Sequence, residues 1–161
     1  MMGKTHIMWG VFCALVFYYL YSDLFLIFRL YELILIFIFV IFGSVLPDID
    51  HGKSIVGRKI KIIAILFEHR GFFHSILAIV MWYFLFLLLL NKIYVYAILF
   101  GYISHLFIDC FNHYGISPFA PFNKFKIKGP FYTNGFVEKI FFLILNIFNI
   151  LLLFLLVFLN I

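Results

Sequence analysis

Long apolar segments are the feature that most constrains how this chain can fold. We place five of them at residues 7–21, 30–46, 72–90, 93–108 and 140–159. Each approaches the roughly 20 residues with which a helix crosses a bilayer, and none has the regular polar face of a helix on a soluble core. Hydrophobic residues make up 66% of the 161 residues, so no second, water-soluble domain fits. We therefore predict one all-α integral membrane domain over residues 1–161, with about five transmembrane helices.

Two polar stretches between these segments predict contacts with the membrane surface. Residues 52–67 mix four basic side chains with isoleucine and leucine, which is typical of a basic amphipathic helix lying in the interface. Residues 112–136 hold three of the four prolines, so they cannot form a continuous helix. Their phenylalanines and tyrosines predict a loop that rests on the headgroups or folds back over a site.

The lysines and arginines predict the orientation of the chain in the membrane. With five spans, ten of the 12 basic residues fall on the side of the amino terminus, and Arg29 and Lys92 fall on the other. The side richer in basic residues faces the cytoplasm. We therefore expect a multi-pass protein of the cell (inner) membrane with a cytoplasmic amino terminus. The net charge of +5 then faces anionic lipid headgroups, and no nucleic-acid partner is expected.

All six histidines lie at the ends of the apolar segments, and the predicted topology puts every one of them on the cytoplasmic side. They are His6, His51, His69, His74, His105 and His113. Histidine and carboxylate are costly near hydrocarbon, so an ionisable cluster at a membrane boundary indicates a functional site. Histidines with unrelated structural roles would not sort to one side.

Two short motifs carry the strongest local signals for metal binding. His105 and Asp109 are four residues apart, so they share a helix face and can bind one ion together. Out of context, such a pair is more often a capped or hydrogen-bonded one. The turn after Pro47 places Asp48, Asp50 and His51 within four residues, so we interpret it as a source of ligands as well.

A third motif surrounds Gly71. His69 and His74 are five residues apart and cannot share one regular helix face, but Gly71 offers a break that would let both turn toward a site. Arg70 could hold a phosphate oxygen in a bidentate contact, or bind a headgroup without any role in catalysis. His6 opens the first apolar segment and is a further candidate ligand.

The types of ligand indicate which metal and which chemistry are expected. Imidazole with carboxylate suits zinc, manganese or iron, and the two cysteines lie in or beside apolar segments, where they are packing residues. The number of ligands exceeds one tetrahedral site, so we expect one or two divalent ions, with an aspartate as the bridge between two. Such ions activate water and hold the oxygens of a phosphate ester. Asp48, Asp50 and Arg70 are the expected catalytic residues.

Four motifs, in the same order and spacing, resemble those of the YdjM-like membrane-bound, metal-dependent hydrolases. They are Thr5-His6, residues 43–51, residues 69–75 and residues 101–109, and the resemblance extends over about residues 4–122. It implies a helical membrane protein with a hydrolase site, remotely similar to zinc-dependent phospholipase C and P1 nuclease, which also use His-x-x-x-Asp. It implies metal-site roles for His6, Asp48, His69, His74, His105 and Asp109. The late His-x-x-x-Glu pair of the phospholipase-like enzymes has no counterpart after His113.

The function that the sequence favours is hydrolysis of a phosphoester in a lipid or lipid-linked substrate, with membrane lipids as partners. The alternative is a non-catalytic metal-binding membrane protein, either an anchor or a transporter, although a transporter would place its ligands near the bilayer midplane. A di-iron oxidase or desaturase would use close His-x-x-x-His pairs, which the chain lacks. Bis-histidine haem binding would leave the aspartates unused, and a phosphohistidine phosphatase would need an arginine motif upstream of His105.

Overall fold

The computed structural model describes residues 1–20, 28–52, 54, 57–123 and 125–158. These residues form six α-helices: α1 Gly3–Leu20, α2 Leu30–Gly43, α3 Lys61–Leu66, α4 Ile76–Leu87, α5 Lys92–Asp109 and α6 Phe136–Phe158. Two short 3-10 turns, Leu46–Asp50 and Phe72–His74, lie before α3 and α4. Pairing of β type is limited, in this described part, to two isolated bridges. The predicted all-α class is confirmed.

The predicted count of five transmembrane helices is not supported by the lengths and composition of the helices. Among the described residues, α6 is the one helix long and apolar enough to cross a membrane, with a mean hydropathy of 2.9. The helices α2 and α4 are apolar but have 14 and 12 residues. They are shorter than predicted because the ends of the apolar segments form the 3-10 turns. Pro47 lacks the amide hydrogen that a longer α2 would use, so α2 ends before it. Ser75 caps α4, so this helix begins after the second 3-10 turn. Residues 21 and 159 of the predicted spans lie outside the described residues.

The predicted interfacial helix is also shorter than the pattern suggested. Within residues 52–67 the structure has a helix of six residues, α3, and part of the stretch, including Lys53, lies outside the described residues. The side chains of Ile62, Ile65 and Leu66 are 70%, 81% and 71% exposed. An exposed apolar face is what a helix lying in an interface would present to lipid.

The closest helix packing joins α2 to α5. A Cβ atom added to Gly43 would lie 2.0 Å from a main-chain carbonyl oxygen of α5, and one added to Gly101 would lie 2.0 Å from a carbonyl oxygen of α2. No side chain fits there, and small residues allow this close approach of helix backbones. The approach matters for the site, because Ser44 follows Gly43 and His105 lies one turn after Gly101.

The segment between α5 and α6 returns across the end of the bundle without a continuous helix, as predicted. Its two arms are joined by the main-chain pair Ile116–Ile127 and by the amide of His113, which donates to the carbonyl oxygen of Phe131 at 2.7 Å. The returning arm places Lys126 and Thr133 beside the cavity described below.

Candidate metal centre

Buried histidines and aspartates from four separate stretches of chain meet at one end of the helix bundle. They come from the start of α1, the first 3-10 turn, the second 3-10 turn and the last turns of α5: His6, Asp48, Asp50, His74, His105 and Asp109. All six are buried, and His6, His74, His105 and Asp109 are at most 1% exposed. The clustering predicted at one end of the apolar segments is therefore present in the fold.

At the centre of the cluster, two imidazoles face the same two carboxylates. His74 Nε2 lies 3.8 Å from Asp48 Oδ1 and 3.8 Å from Asp109 Oδ2. His105 Nε2 lies 3.8 Å and 3.9 Å from the same two oxygens. These separations are too long for hydrogen bonds. They are below about 4.2 Å, twice a zinc–ligand distance, which is the largest separation of two ligands on one ion.

A hydrogen bond on the far side of the His105 ring leaves its Nε2 free for an ion. His105 Nδ1 donates to the carbonyl oxygen of Ser44 at 2.7 Å, so the lone pair of Nε2 faces the carboxylates. His105 Nε2 and both nitrogens of His74 make no hydrogen bond within the described part of the chain. Because buried polar atoms without partners are costly, this donor set fits a bound divalent cation.

His6 provides a neighbouring ligand position. Its ring stacks on that of His105 with the centroids 3.6 Å apart, and its Nε2 lies 3.3 Å from Asp109 Oδ1. His6, His105 and Asp109 thus form one group that could hold an ion, and Asp48, His74 and His105 form another. His105 offers one free lone pair and can serve one ion at a time, whereas Asp109 has two oxygens and can serve both positions.

Asp50 lies behind the cluster and contacts two imidazoles. Its Oδ1 is 2.8 Å from His69 Nδ1, and its Oδ2 is 3.4 Å from His74 Nδ1. Burial alone would raise the pKa of the Asp50 carboxyl, but the hydrogen bond from His69 and the nearby ring of His74 hold it below its usual range. Burial also opposes ionisation of Asp48, yet the nearby rings of His105 and His6 hold its pKa below the usual range. Asp48, Asp50 and His69 form a third group that could hold an ion.

Arg70 joins the cluster to the loop that follows α5. Its backbone has a φ of 64°, in the left-handed region, and its amide donates to Asp50 Oδ2 at 3.0 Å. Its Nη1 donates to Asn112 Oδ1 and to the carbonyl oxygen of Gly115, and its Nη2 lies 3.0 Å from Asp109 Oδ2. The guanidinium is thus largely engaged by the protein. The prediction that Arg70 binds a phosphate remains untested.

A cavity of about 720 Å³ opens beside the cluster. Its lining includes Asp48 together with three cationic side chains, Lys4, Arg70 and Lys126. The cavity also reaches the rings of two histidines outside the buried centre, His51 and His69, whose centroids are 4.4 Å apart. Burial, with repulsion from His69 as a second cause, lowers the pKa of His51.

The structure separates the six histidines into three kinds. His6, His74 and His105 are buried in the cluster, and His51 and His69 line the cavity. His113 belongs to none of the ligand groups in the described residues; its ring stacks on Tyr132 with the centroids 4.4 Å apart. The sequence-based ligand set therefore has a buried core of His6, His74 and His105, with His51 and His69 nearer the cavity.

Three residues that matter to the site were missed from the sequence. Ser44 orients His105, and Asn112, which is fully buried, binds Arg70. Glu138, also fully buried, accepts hydrogen bonds from the amides of Met2 and Asn134, and so joins the start of α1 to α6. A lone carboxylate at the start of an apolar segment is itself a signal and could have identified Glu138.

Fold and site together define a class: an all-helical protein in which the ends of several helices meet around a buried histidine–aspartate cluster able to hold a metal ion. Comparison with known proteins identifies the family. The model of the YdjM inner membrane protein family matches residues 1–161, and the chain belongs to this family. The resemblance seen in the four motifs is thereby confirmed, whereas the remote similarity to phospholipase C and P1 nuclease remains a prediction.

Individual relatives extend this result. The uncharacterized protein YvsG of Bacillus subtilis (strain 168) is 29% identical over 147 residues, which cover 87% of this chain and 86% of that protein. The inner membrane protein YdjM of Escherichia coli (strain K12) is 35% identical over 86 residues, 47% of this chain and 44% of that protein. The uncharacterized protein YfhP of Bacillus subtilis (strain 168) is 34% identical over 90 residues, which cover 51% of this chain and 26% of that protein. No solved structure matches.

Proposed function

We propose that this protein is a membrane-bound, metal-dependent hydrolase that cleaves a phosphoester in a lipid or lipid-linked substrate at the cytoplasmic face of the membrane. One observation carries the proposal: buried imidazole nitrogens that make no hydrogen bond in the described structure lie 3.8–3.9 Å from buried carboxylate oxygens. A divalent cation is the partner that satisfies such a donor set.

The charges of the cluster also favour a cation. Asp48, Asp50 and Asp109 bring three negative charges into a buried region. Arg70 and the amino group of Met1, which lies 2.7 Å from Asp109 Oδ1, supply two positive charges there. A divalent ion would offset the remaining charge. Asp48, His74, His105 and Asp109 would hold one ion, and His6 would help to hold a second. Zinc is our first choice, since it accepts imidazole and carboxylate ligands, and manganese and iron accept the same donors.

When bound, such an ion lowers the pKa of water and stabilises charge on a phosphate. The chain's own residues would perform the remaining tasks. Lys4 and Lys126 line the cavity and would attract an anionic group toward the cluster. Arg70, whose guanidinium also borders the cavity, would hold the phosphate with the donors that its protein contacts leave free.

A lipid is the proposed source of the phosphate because of where the cavity lies in the molecule. The family is one of inner membrane proteins, and α6 is long and apolar enough to cross a bilayer. A multi-pass arrangement with a cytoplasmic amino terminus would put the cavity at the headgroup plane. The phosphate would then enter the cavity while the acyl chains stay in hydrocarbon.

A metal-binding protein without catalytic activity, acting as an anchor or a transporter, is the second candidate. The complete burial of His6, His74 and His105 favours it, because a structural metal site is closed to water on all sides. The cavity beside Asp48 favours the hydrolase, since a catalytic site keeps one position open to substrate.

The first test is the metal content of the protein purified in mild detergent, measured by plasma mass spectrometry. We expect near-stoichiometric zinc, manganese or iron in the wild type and its loss from the His105→Ala, Asp109→Ala double variant. His113→Ala is the matched control, because this histidine lies outside the ligand groups. A folded wild type without metal would contradict the proposal. Metal-loaded protein that cleaves none of a panel of phospholipids and phosphoesters would favour the non-catalytic candidate.

A further inference from the structure

His69 differs from the three buried histidines of the site in its surroundings. The side chains of His6, His74 and His105 are 0% exposed, whereas that of His69 is 36% exposed and lines the cavity. His69 therefore combines contact with the buried cluster and access for a molecule in the cavity. The position suits a residue that meets a substrate.

Asp50 determines which nitrogen of His69 is free. The 2.8 Å contact between Asp50 Oδ1 and His69 Nδ1 is a hydrogen bond, and an ionised carboxylate can only accept. The hydrogen therefore sits on Nδ1 and the lone pair on Nε2. A buried carboxylate behind an imidazole is the arrangement that orients a proton-transferring histidine.

The contacts of Asp50 also argue against an ion between Asp50 and His69. Both of its oxygens are engaged, Oδ1 by His69 and Oδ2 by the amide of Arg70 at 3.0 Å. An ion held by Asp50 Oδ1 and His69 Nδ1 would break the hydrogen bond that joins them. In contrast, Asp48 Oδ1 faces the Nε2 atoms of His74 and His105 at 3.8 Å, which leaves space for an ion between them.

We propose that His69 is the proton-transferring residue of this site rather than a metal ligand, and that Asp50 is the positioning residue behind it. This inference rests on the proposed function. In the reaction, a bond forms from a water oxygen to phosphorus, and the bond from phosphorus to the ester oxygen breaks. Before the attack, His69 Nε2 accepts the proton that the water releases as it ionises, and during the attack it donates this proton to the departing ester oxygen. The imidazole ends as it began, and the products are an alcohol and a phosphate.

The first experiment asks whether His69 binds metal. Wild type, His69→Gln and His74→Gln are compared for zinc content, with His113→Gln as the matched control. We expect His69→Gln to keep the wild-type zinc content and His74→Gln to lose zinc. In parallel, diethyl pyrocarbonate, which acylates imidazole nitrogens with a free lone pair, should modify His69 equally with and without bound zinc. Loss of zinc from His69→Gln, or protection of His69 by zinc, would overturn the inference and leave the proposed hydrolase standing.

The second experiment tests proton transfer through the nature of the leaving group. Zinc-loaded proteins are assayed with a short-chain phosphatidylglycerol, whose leaving alkoxide needs a proton, and with bis-p-nitrophenyl phosphate, whose leaving nitrophenolate does not. For His69→Gln we expect kcat to fall by about 100-fold or more on the alkyl ester, but by no more than about tenfold on the nitrophenyl ester. Asp50→Asn should show the same asymmetry in weaker form.

The outcomes separate the inference from the proposed function. Equal losses on both esters would indicate a structural role for His69 and overturn the inference alone. A zinc-loaded wild type that cleaves neither ester would overturn the proposed hydrolase and, with it, the proton-transfer role.

Discussion

At the scale of single residues, this site depends on hydrogen bonds that select one nitrogen of His105 and one of His69. The carbonyl oxygen of Ser44 takes Nδ1 of His105, and Asp50 takes Nδ1 of His69. In both rings Nε2 is the atom left to a ligand, which is the way outer contacts usually orient metal-binding and catalytic histidines. A substitution at Ser44 would leave this contact intact, because the main chain supplies it, whereas one at Asp50 would remove it.

Glu138 is a second residue whose contribution depends on its hydrogen bonds. Its two carboxylate oxygens accept from the amides of Met2 and Asn134. In Glu138→Gln one of these amides would face an NH2 group, so we expect the free energy of unfolding to fall by about 1–3 kcal/mol. Because the start of α1 would loosen, zinc content should fall as well. Thermal unfolding in detergent measures the first effect, and Glu68→Gln, an exposed carboxylate, is the control. Unchanged stability would show that Glu138 does not hold α1 in place.

At the scale of elements, the site is assembled from the ends of helices rather than from one helix face. The 3-10 turns that follow α2 and precede α4 supply Asp48, Asp50 and His74, and α5 supplies His105 and Asp109. Their relative positions depend on how closely α2 and α5 approach. The glycines at this crossing are therefore part of the site, although they lie one turn or more from the ligands.

The variant Gly101→Ala tests this dependence. A Cβ atom at this position would lie 2.0 Å from a main-chain carbonyl oxygen of α2, so the two helices would have to separate. We expect a loss of about 1–3 kcal/mol in stability and a lower zinc affinity, since Ser44 would move away from His105. The matched control is Gly3→Ala, where no atom lies within 4 Å of the added Cβ. Gly101→Ala with wild-type stability and metal content would show that the crossing tolerates a wider spacing.

At the scale of the whole molecule, the cluster and the cavity lie at one end of the helix bundle, and the start of α5 lies at the other. In the proposed orientation the first end faces the cytoplasm. The basic residues Lys4, Arg70 and Lys126 at the cavity belong to that end, in agreement with the excess of positive charge expected there. The opposite end carries Lys92 at the first position of α5.

This orientation is tested by labelling single cysteines in intact spheroplasts with a membrane-impermeant maleimide. We expect Lys92→Cys to be labelled from outside, and Lys128→Cys only after the membrane is opened. Both side chains are exposed in the structure, so a difference in labelling reports the side of the membrane. The wild type, which has Cys13 and Cys110, gives the background. Labelling of Lys128→Cys in intact spheroplasts would contradict the proposed orientation.

The sequence by itself was sufficient to predict the all-α class, the family resemblance and the side chains that meet in the cluster. Runs of hydrophobic residues identify the helices, because each buried or membrane helix needs a continuous apolar stretch of sequence. Motifs at the ends of those runs identify the ligands. The lengths of the helices were predicted less well. Pro47 prevents α2 from continuing, and Ser75 caps the start of α4, although the sequence around both remains apolar. A prediction from hydropathy therefore extends each helix past the end that backbone hydrogen bonding determines.

Only the tertiary structure decided which atom of each side chain is available. The partners of His105, Arg70 and Glu138 are 61, 42 and 136 residues away in the chain, at Ser44, Asn112 and Met2. No local pattern specifies contacts at such separations, because they arise from the way the helices pack. The residue types of a metal site can thus be predicted from the sequence. Whether a given residue acts as a ligand, a proton carrier or a positioning group depends on which hydrogen bonds the packed helices allow.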